Sequence, residues 1–167
     1  MPRRADTLFD LAKELRDSGT GVVSGFHAPM DKECFDILLR GKGPIVWCPA
    51  RSIETMRLKS AYKKAVDEGR LLILSPFPAK QSRQSAPRAE SRNRLVAALA
   101  ECVFVAYADP GGKTEQLCRL DITTRMDMLR LTEYPESRSP LARLGWSPSR
   151  ESLLAELVHR LASAVSQ

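Results

Sequence analysis

The sequence predicts an α/β fold, a three-layer sandwich with a mostly parallel, doubly wound sheet in a single domain. Three observations carry that prediction. Short apolar runs of strand length alternate with stretches of helical period. The alternation persists from residue 6 to residue 131. Helices stop at glycines, and strands run into turns that carry glycine or proline.

Taken in order, residues 6–17 form a helix, because Leu8, Leu11, Ala12 and Leu15 recur on one helical face and Gly19 ends it. Residues 20–24, with Val22 and Val23, read as a short buried strand, and residues 25–29 as a tight turn. A helix over 31–40 sets Cys34, Ile37 and Leu38 on one face and stops at Gly41. Residues 44–48 are the next strand, 57–68 a helix and 70–75 a third strand. Three prolines, Lys80 and Arg83 make residues 76–87 an exposed loop. The helix over 89–100 turns Leu95, Val96 and Leu99 inward. Residues 102–107 are the most apolar strand, 109–115 the turn after it, and 114–120 a further helix. Residues 126–131 read as the last strand. Thus residues 1–131 are expected to form one domain. Residues 132–148 are a connector rich in proline and serine. Residues 149–167 carry an amphipathic helix through Leu153, Leu157, Leu161 and Ala164, expected to pack on the domain.

The 167 residues are 43% hydrophobic and 28% charged, which fits a globular chain and is too apolar for a disordered one. Runs such as Ile45-Val46-Trp47-Cys48 fall far short of the roughly 20 residues that span a bilayer. Met-Pro-Arg-Arg-Ala-Asp is followed by no apolar run resembling a signal peptide, so the expectation is a cytoplasmic protein with no membrane association. A net charge of +6 and a pI near 9.4 permit a phosphate-bearing partner. Cys34, Cys48, Cys102 and Cys118 lie 14, 54 and 16 residues apart, without zinc or redox spacing. They are expected to be buried, reduced thiols. Neither His27 nor His159 has metal-ligand spacing to a cysteine or carboxylate, so no metal and no cofactor are expected.

In such a sheet, ligands bind where strands deliver their C-terminal ends to the next helix. Two strand-to-helix turns stand out. Ser24-Gly25-Phe26-His27-Ala28-Pro29 follows the first strand, and its glycine lets the backbone approach a phosphate near a helix N-terminus; a simple tight turn is the plain alternative. Pro110-Gly111-Gly112-Lys113-Thr114-Glu115 follows the most apolar strand. Amides of Gly111 and Gly112 can form an anion nest, with Lys113 and the Thr114 hydroxyl as further donors; Thr114 as a mere helix cap is the alternative. The Walker spacing is absent. Basic residues also gather ahead of the inner strand: Lys80, Arg83, Arg88, Arg92 and Arg94 stand against Glu90 alone from residue 77 to 94. Arg92 and Arg94, two apart, cannot share a helical face, so one is expected to reach a ligand and the other a carboxylate. His27 lacks a nucleophile partner and suits a loop hydrogen bond or a base stack. Phe26, Trp47 and Trp146 are read as packing residues, and 6% aromatics give little material for generic single-strand stacking.

These motifs resemble the DNA-processing protein A (DprA/Smf) family. Ser24-Gly25-Phe26-His27-Ala28-Pro29-Met30-Asp31 is similar to that family's Ser-Gly-Leu-Ala-Arg-Gly-Ile-Asp, with Ala28 in place of its arginine and Pro29 in place of its second glycine. Arg92-Asn93-Arg94-Leu95-Val96-Ala97-Ala98-Leu99 resembles Arg-Asn-Arg-Ile-Ile-Ala-Gly-Leu and is the most specific match. The resemblance spans residues 6–120 and implies a Rossmann-like core with a nucleic-acid-phosphate pocket. For full family members it implies single-stranded DNA binding and delivery to a recombinase. The family core opens with a strand ending in Gly-Ser-Arg, which the residues before Asp6 do not supply. Either the start is truncated or another segment fills that sheet position. No flanking helical or winged-helix DNA-binding module is visible.

Pro110-Gly111-Gly112-Lys113-Thr114-Glu115 also resembles the Pro-Gly-Gly-x-Gly-Thr-x-x-Glu loop of the Lonely Guy phosphoribohydrolases, one glycine shorter here. That likeness implies hydrolysis of a nucleoside monophosphate with Glu115 and Arg92 as the catalytic pair. The leading expectation is binding of single-stranded DNA or nucleotide phosphates by Ser24, Gly25, Phe26, His27, Arg92, Asn93, Arg94, Gly111, Gly112, Lys113 and Thr114. A hydrolase, a small-nucleotide sensor, or a degenerate domain kept as a scaffold or homodimer module are the alternatives.

Overall fold

The computed structural model describes residues 4–100, 102–105, 110–119 and 127–130. Helix α1 (Arg4–Ser18) leads into strand β1 (Val22–Ser24), helix α2 (Pro29–Leu39) and strand β2 (Ile45–Trp47). Helix α3 (Ser60–Asp67), strand β3 (Leu71–Ile73), helix α4 (Ala86–Leu99), strand β4 (Cys102–Val105), helix α5 (Lys113–Arg119) and strand β5 (Asp127–Arg130) follow. The helix expected over 149–165, with Trp146 and His159, lies outside the described residues. Among those residues no helix is long and apolar enough to cross a membrane.

Local chemistry sets these boundaries. Gly19 adopts φ +70° after α1, and Thr20 N–H closes the helix end on the Leu15 carbonyl at 3.1 Å. Pro29 opens α2, where no amide donor is required, and Asp31 caps it by accepting from Ala28 N–H at 3.2 Å. The Arg70 guanidinium donates to the Gly41 carbonyl at 2.9 Å just past the α2 C-terminus, where the helix dipole favours a cation. Helix α4 begins at Ala86, earlier than the expected residue 89. Ser85 caps it by accepting from Arg88 N–H, and Pro87 sits in the first turn, where it breaks no helical bond.

β1, β2 and β3 form a parallel sheet in that order, with Val22 beside Ile45 and Ile45 beside Leu71. β4 and β5 form a separate parallel ladder, Cys102 beside Asp127. The ladder expected as one sheet is therefore in two pieces among the described residues. β2, central in its sheet, buries both Ile45 and Val46, as a strand covered on both faces must. β1 was expected to be buried; its residues are only half-buried, because among the described residues it is paired along one edge alone.

The core centres on Phe35, 2% exposed, with Phe26, Leu38, Ile45, Ala65 and Leu71. Its ring stacks on Phe26 at 4.4 Å between centroids and meets Tyr62 at 5.0 Å and Trp47 at 5.5 Å. Phe26 and Trp47 thus pack as expected.

Cys34 and Cys48 are free and buried, and burial pushes both thiols up to about 11. Between the ordinary thiol value of 9.0 and about 11, the unfolded chain loses these protons while the folded protein keeps them. Stability is therefore complete below that window and falls as pH rises through it. Urea midpoints measured across the window should decline, and the Cys34→Ala/Cys48→Ala double variant should decline less steeply. An equal decline would show that the thiols contribute nothing.

Candidate functional site

Because β1, β2 and β3 are parallel, their C-terminal ends open onto one edge of the sheet, the edge where ligands bind in open α/β folds. At that edge β1 turns sharply through Ser24, Gly25 and Phe26. Phe26 takes a left-handed backbone, φ 42°, unusual for a residue with a side chain. Its ring is buried against Phe35, which holds the turn in that shape. The Gly25 carbonyl accepts from Trp47 Nε1–H at 3.2 Å, fastening the turn to the end of β2.

Over this turn lies the Arg92 guanidinium. A Cβ at position 25 would sit 1.5 Å from Arg92 Nη1 and 2.1 Å from its Cζ, so only glycine admits this approach. Arg92 reaches across from α4 and donates through Nη1 to the Cys48 carbonyl at 3.0 Å and through Nε to Asn93 Oδ1 at 2.8 Å. It is 6% exposed. Burial draws it below its ordinary value, opposed by Cys48 and Asp31. Its intrinsic basicity is high enough that it remains a cation. Among the described residues no carboxylate lies within ion-pair distance of it. A buried guanidinium fixed by neutral acceptors can receive an anion, its planar fork matching phosphate or carboxylate oxygens.

Arg94 points to the other side of α4, as the two-residue spacing requires. It pairs with Glu90 at 3.2 Å, and Lys113 reaches the same carboxylate at 2.8 Å. Lys113, then Arg94, hold Glu90 below the usual carboxylate range. Gly25, Arg92 and Asn93 are therefore brought together, whereas Lys113 and Arg94 gather on Glu90. Gly111 takes φ +74° and accepts from the Gln116 side chain at 3.2 Å. The Gly112 carbonyl accepts from Gln116 N–H at 3.0 Å, closing the first turn of α5. Thr114 is half-buried, His27 is exposed, and the Glu115 side chain lies outside the described residues. At the α2 N-terminus, Asp31 already takes the Ala28 amide and Pro29 has no N–H to offer. Among the described residues no cluster of histidine, cysteine and carboxylates is arranged to hold a metal.

Sequence reading missed one residue at this edge. The segment leaving β2 is buried through Cys48, Pro49, Ala50 and Ser52, and Arg51 stands half-buried in its midst. The Arg51 carbonyl accepts from Ser75 Oγ at 2.7 Å, and Ser52 N–H donates to the Gln81 carbonyl at 2.9 Å. The backbone is thus pinned on both sides of the arginine, and Arg51 Nε is enclosed without a hydrogen-bond partner. An arginine three residues beyond the apolar run Ile45-Val46-Trp47-Cys48 was the available signal.

Residues 3–115 match the family model described as DNA recombination-mediator protein A. Two solved structures are similar to the chain. The first is DNA processing protein A from Helicobacter pylori, described for its single-stranded DNA binding mode. It shares 19% identity at a TM-score of 0.59, over 96% of this chain and 75% of that one. The second, DNA processing protein A from Streptococcus pneumoniae, also shares 19% identity at a TM-score of 0.59. That match covers 93% of this chain and 52% of the other, so this chain spans about half the length of the streptococcal protein. At such identity the likeness establishes a shared fold. No curated protein sequence matches the chain.

Proposed function

The chain belongs to the DNA recombination-mediator protein A family, and we propose that it binds single-stranded DNA by its phosphates at the C-terminal edge of the β1-β2-β3 sheet. The observation that carries this reading is Arg92, a nearly buried cation lying against Gly25 and bonded, among the described residues, only to neutral groups. A phosphodiester oxygen supplies the charge such a group lacks, and one charge-assisted bond of this kind is worth about 1.5–3 kcal/mol. The backbone of Ser24, Gly25, Phe26 and His27 forms the wall against which the strand would lie, and Asn93 holds the arginine in place. Gly111, Gly112, Lys113, Thr114 and Arg94 form the outer part of the same reading. Hand-over of the strand to a recombinase and pairing of two copies are its further extensions, the second checked by sedimentation.

The test is fluorescence anisotropy of a labelled oligo(dT) 20-mer at several salt concentrations. Affinity should fall with salt at a logarithmic slope of about −0.7 per phosphate contact. Arg92→Ala should weaken binding about 10- to 100-fold. A mononucleotide binding as tightly as the 20-mer, with no salt dependence, would instead indicate a nucleotide site. Release of free base from a nucleoside monophosphate would indicate the hydrolase.

Glu90 supplies a second expected result. It pairs with both Lys113 and Arg94 and offsets one of the two charges they would otherwise turn to the strand. Glu90→Gln should therefore tighten binding about two- to fivefold at low salt and steepen the salt slope, the modest size reflecting how exposed these pairs are. The same titration checks it, and weaker binding would show that the pairs serve the fold instead.

A further inference from the structure

Arg51 is unexplained by the fold. Its backbone is fixed by Ser75 and Gln81, its neighbours Ala50 and Ser52 are 3% exposed, and its Nε is enclosed with no acceptor. An N–H of a charged group, stripped of water and given no acceptor by the fold, costs stability, and such an orphan calls for an explanation. Its place narrows the explanation. Arg51 lies on the segment leaving the central strand, three residues beyond Cys48, whose carbonyl holds Arg92. Three residues span at most about 11 Å of extended chain. Both arginines therefore belong to the same sheet edge. Ion pairs among the described residues engage neither of them, although pairs elsewhere engage Arg16, Arg70 and Arg94.

We infer that Arg51 is a second phosphate contact, taking a backbone phosphodiester next to the one on Arg92 along the same strand. The inference rests on the single-strand reading above and adds to it a residue whose enclosed Nε costs the fold stability and whose guanidinium makes no hydrogen bond or ion pair among the described residues. A residue kept for packing stabilises the protein. One kept for a ligand stabilises only the complex. Arg51→Met separates these roles, since methionine keeps most of the aliphatic stem and deletes the donors.

With the labelled oligo(dT) 20-mer, Arg51→Met should bind about tenfold more weakly, with a salt slope shallower by about 0.7, the signature of one lost phosphate contact on a single strand. Its Tm should not fall and is expected to rise by about 2–4 °C as the orphaned donor disappears. Arg51→Lys should keep most of the salt slope while losing part of the affinity. Unchanged affinity and slope in Arg51→Met would overturn the inference, as would a loss of affinity that merely follows a fall in Tm. Weaker binding at an unchanged slope would overturn it too, since that outcome marks a contact with a base. Arg92→Ala measured alongside distinguishes the two levels. If it also binds normally, the single-strand reading itself fails. If it weakens binding while Arg51→Met does not, only the role of Arg51 is lost.

Discussion

Gly25→Ala is expected to weaken oligonucleotide binding about as severely as removing Arg92, about 10- to 100-fold, although it deletes no donor and adds one methyl group. The methyl carbon would stand 1.5 Å from Arg92 Nη1, 2.1 Å from Cζ and 2.8 Å from Nε. Real carbon atoms do not approach so closely, and the atoms met are the charged plane itself, held by the Cys48 carbonyl and Asn93. Backbone strain is not the cause, because the left-handed residue in this turn is Phe26 and not Gly25. The guanidinium must leave its seat, break its 3.0 Å bond to Cys48 and lose its alignment toward the strand. Anisotropy titrations of Gly25→Ala, Arg92→Ala and the double variant form a cycle. Since both single changes remove one interaction, the double variant should bind no worse than Arg92→Ala alone. Additive losses would mean that Gly25 acts through something other than Arg92, and wild-type affinity in Gly25→Ala would sink the assignment of the site.

The residues involved show what a sequence can and cannot disclose. Alternation of apolar runs and helical faces was legible because burial imposes a period, and the strand-helix order follows from it. The two-residue spacing of Arg92 and Arg94 was equally informative, because helix geometry alone forces them apart: one lies over Gly25 and the other pairs with Glu90. Phe35 was not legible as the centre of the core. It neighbours Cys34 on α2, and its importance arises from rings supplied by the turn after β1, by β2 and by α3, which no local pattern connects. The pairing of Lys113 with Glu90 joins positions 23 apart and depends on where α5 begins relative to α4. Arg51 escaped for a different reason. An arginine in a loop normally belongs to solvent, and only the burial of the segment around it, closed by Ser75 and Gln81, reveals that its Nε is shut away. The prolines of residues 76–87 hide the start of α4 at Ala86, because Pro87 sits in the first turn, where no amide donor is needed.

Phe35→Ala should be the most destabilising single change in the described core, by about 3–5 kcal/mol, the usual range for emptying a buried phenylalanine site. The ring is 2% exposed and touches Phe26, Trp47 and Tyr62 together, so no one neighbour can collapse to fill the space. Domains of this size typically retain about 5–15 kcal/mol, so the variant would keep a fraction of its stability. Phe35→Leu, which restores most of the volume, should recover over half of the loss. Urea midpoints at unchanged m-value would measure both. The binding consequence separates packing from site geometry. Phe26 keeps its left-handed backbone only while its ring is held against Phe35 at 4.4 Å, and that backbone sets the position of Gly25 beneath Arg92. In Phe35→Ala at a temperature where the chain remains folded, affinity should therefore fall severalfold beyond what the unfolded fraction accounts for. In Phe35→Leu, which keeps a surface for the Phe26 ring, it should fall less. Binding that tracks the folded fraction alone in both variants would mean that the turn holds its shape without the stack, with the link from Trp47 to the Gly25 carbonyl sufficient to fix it.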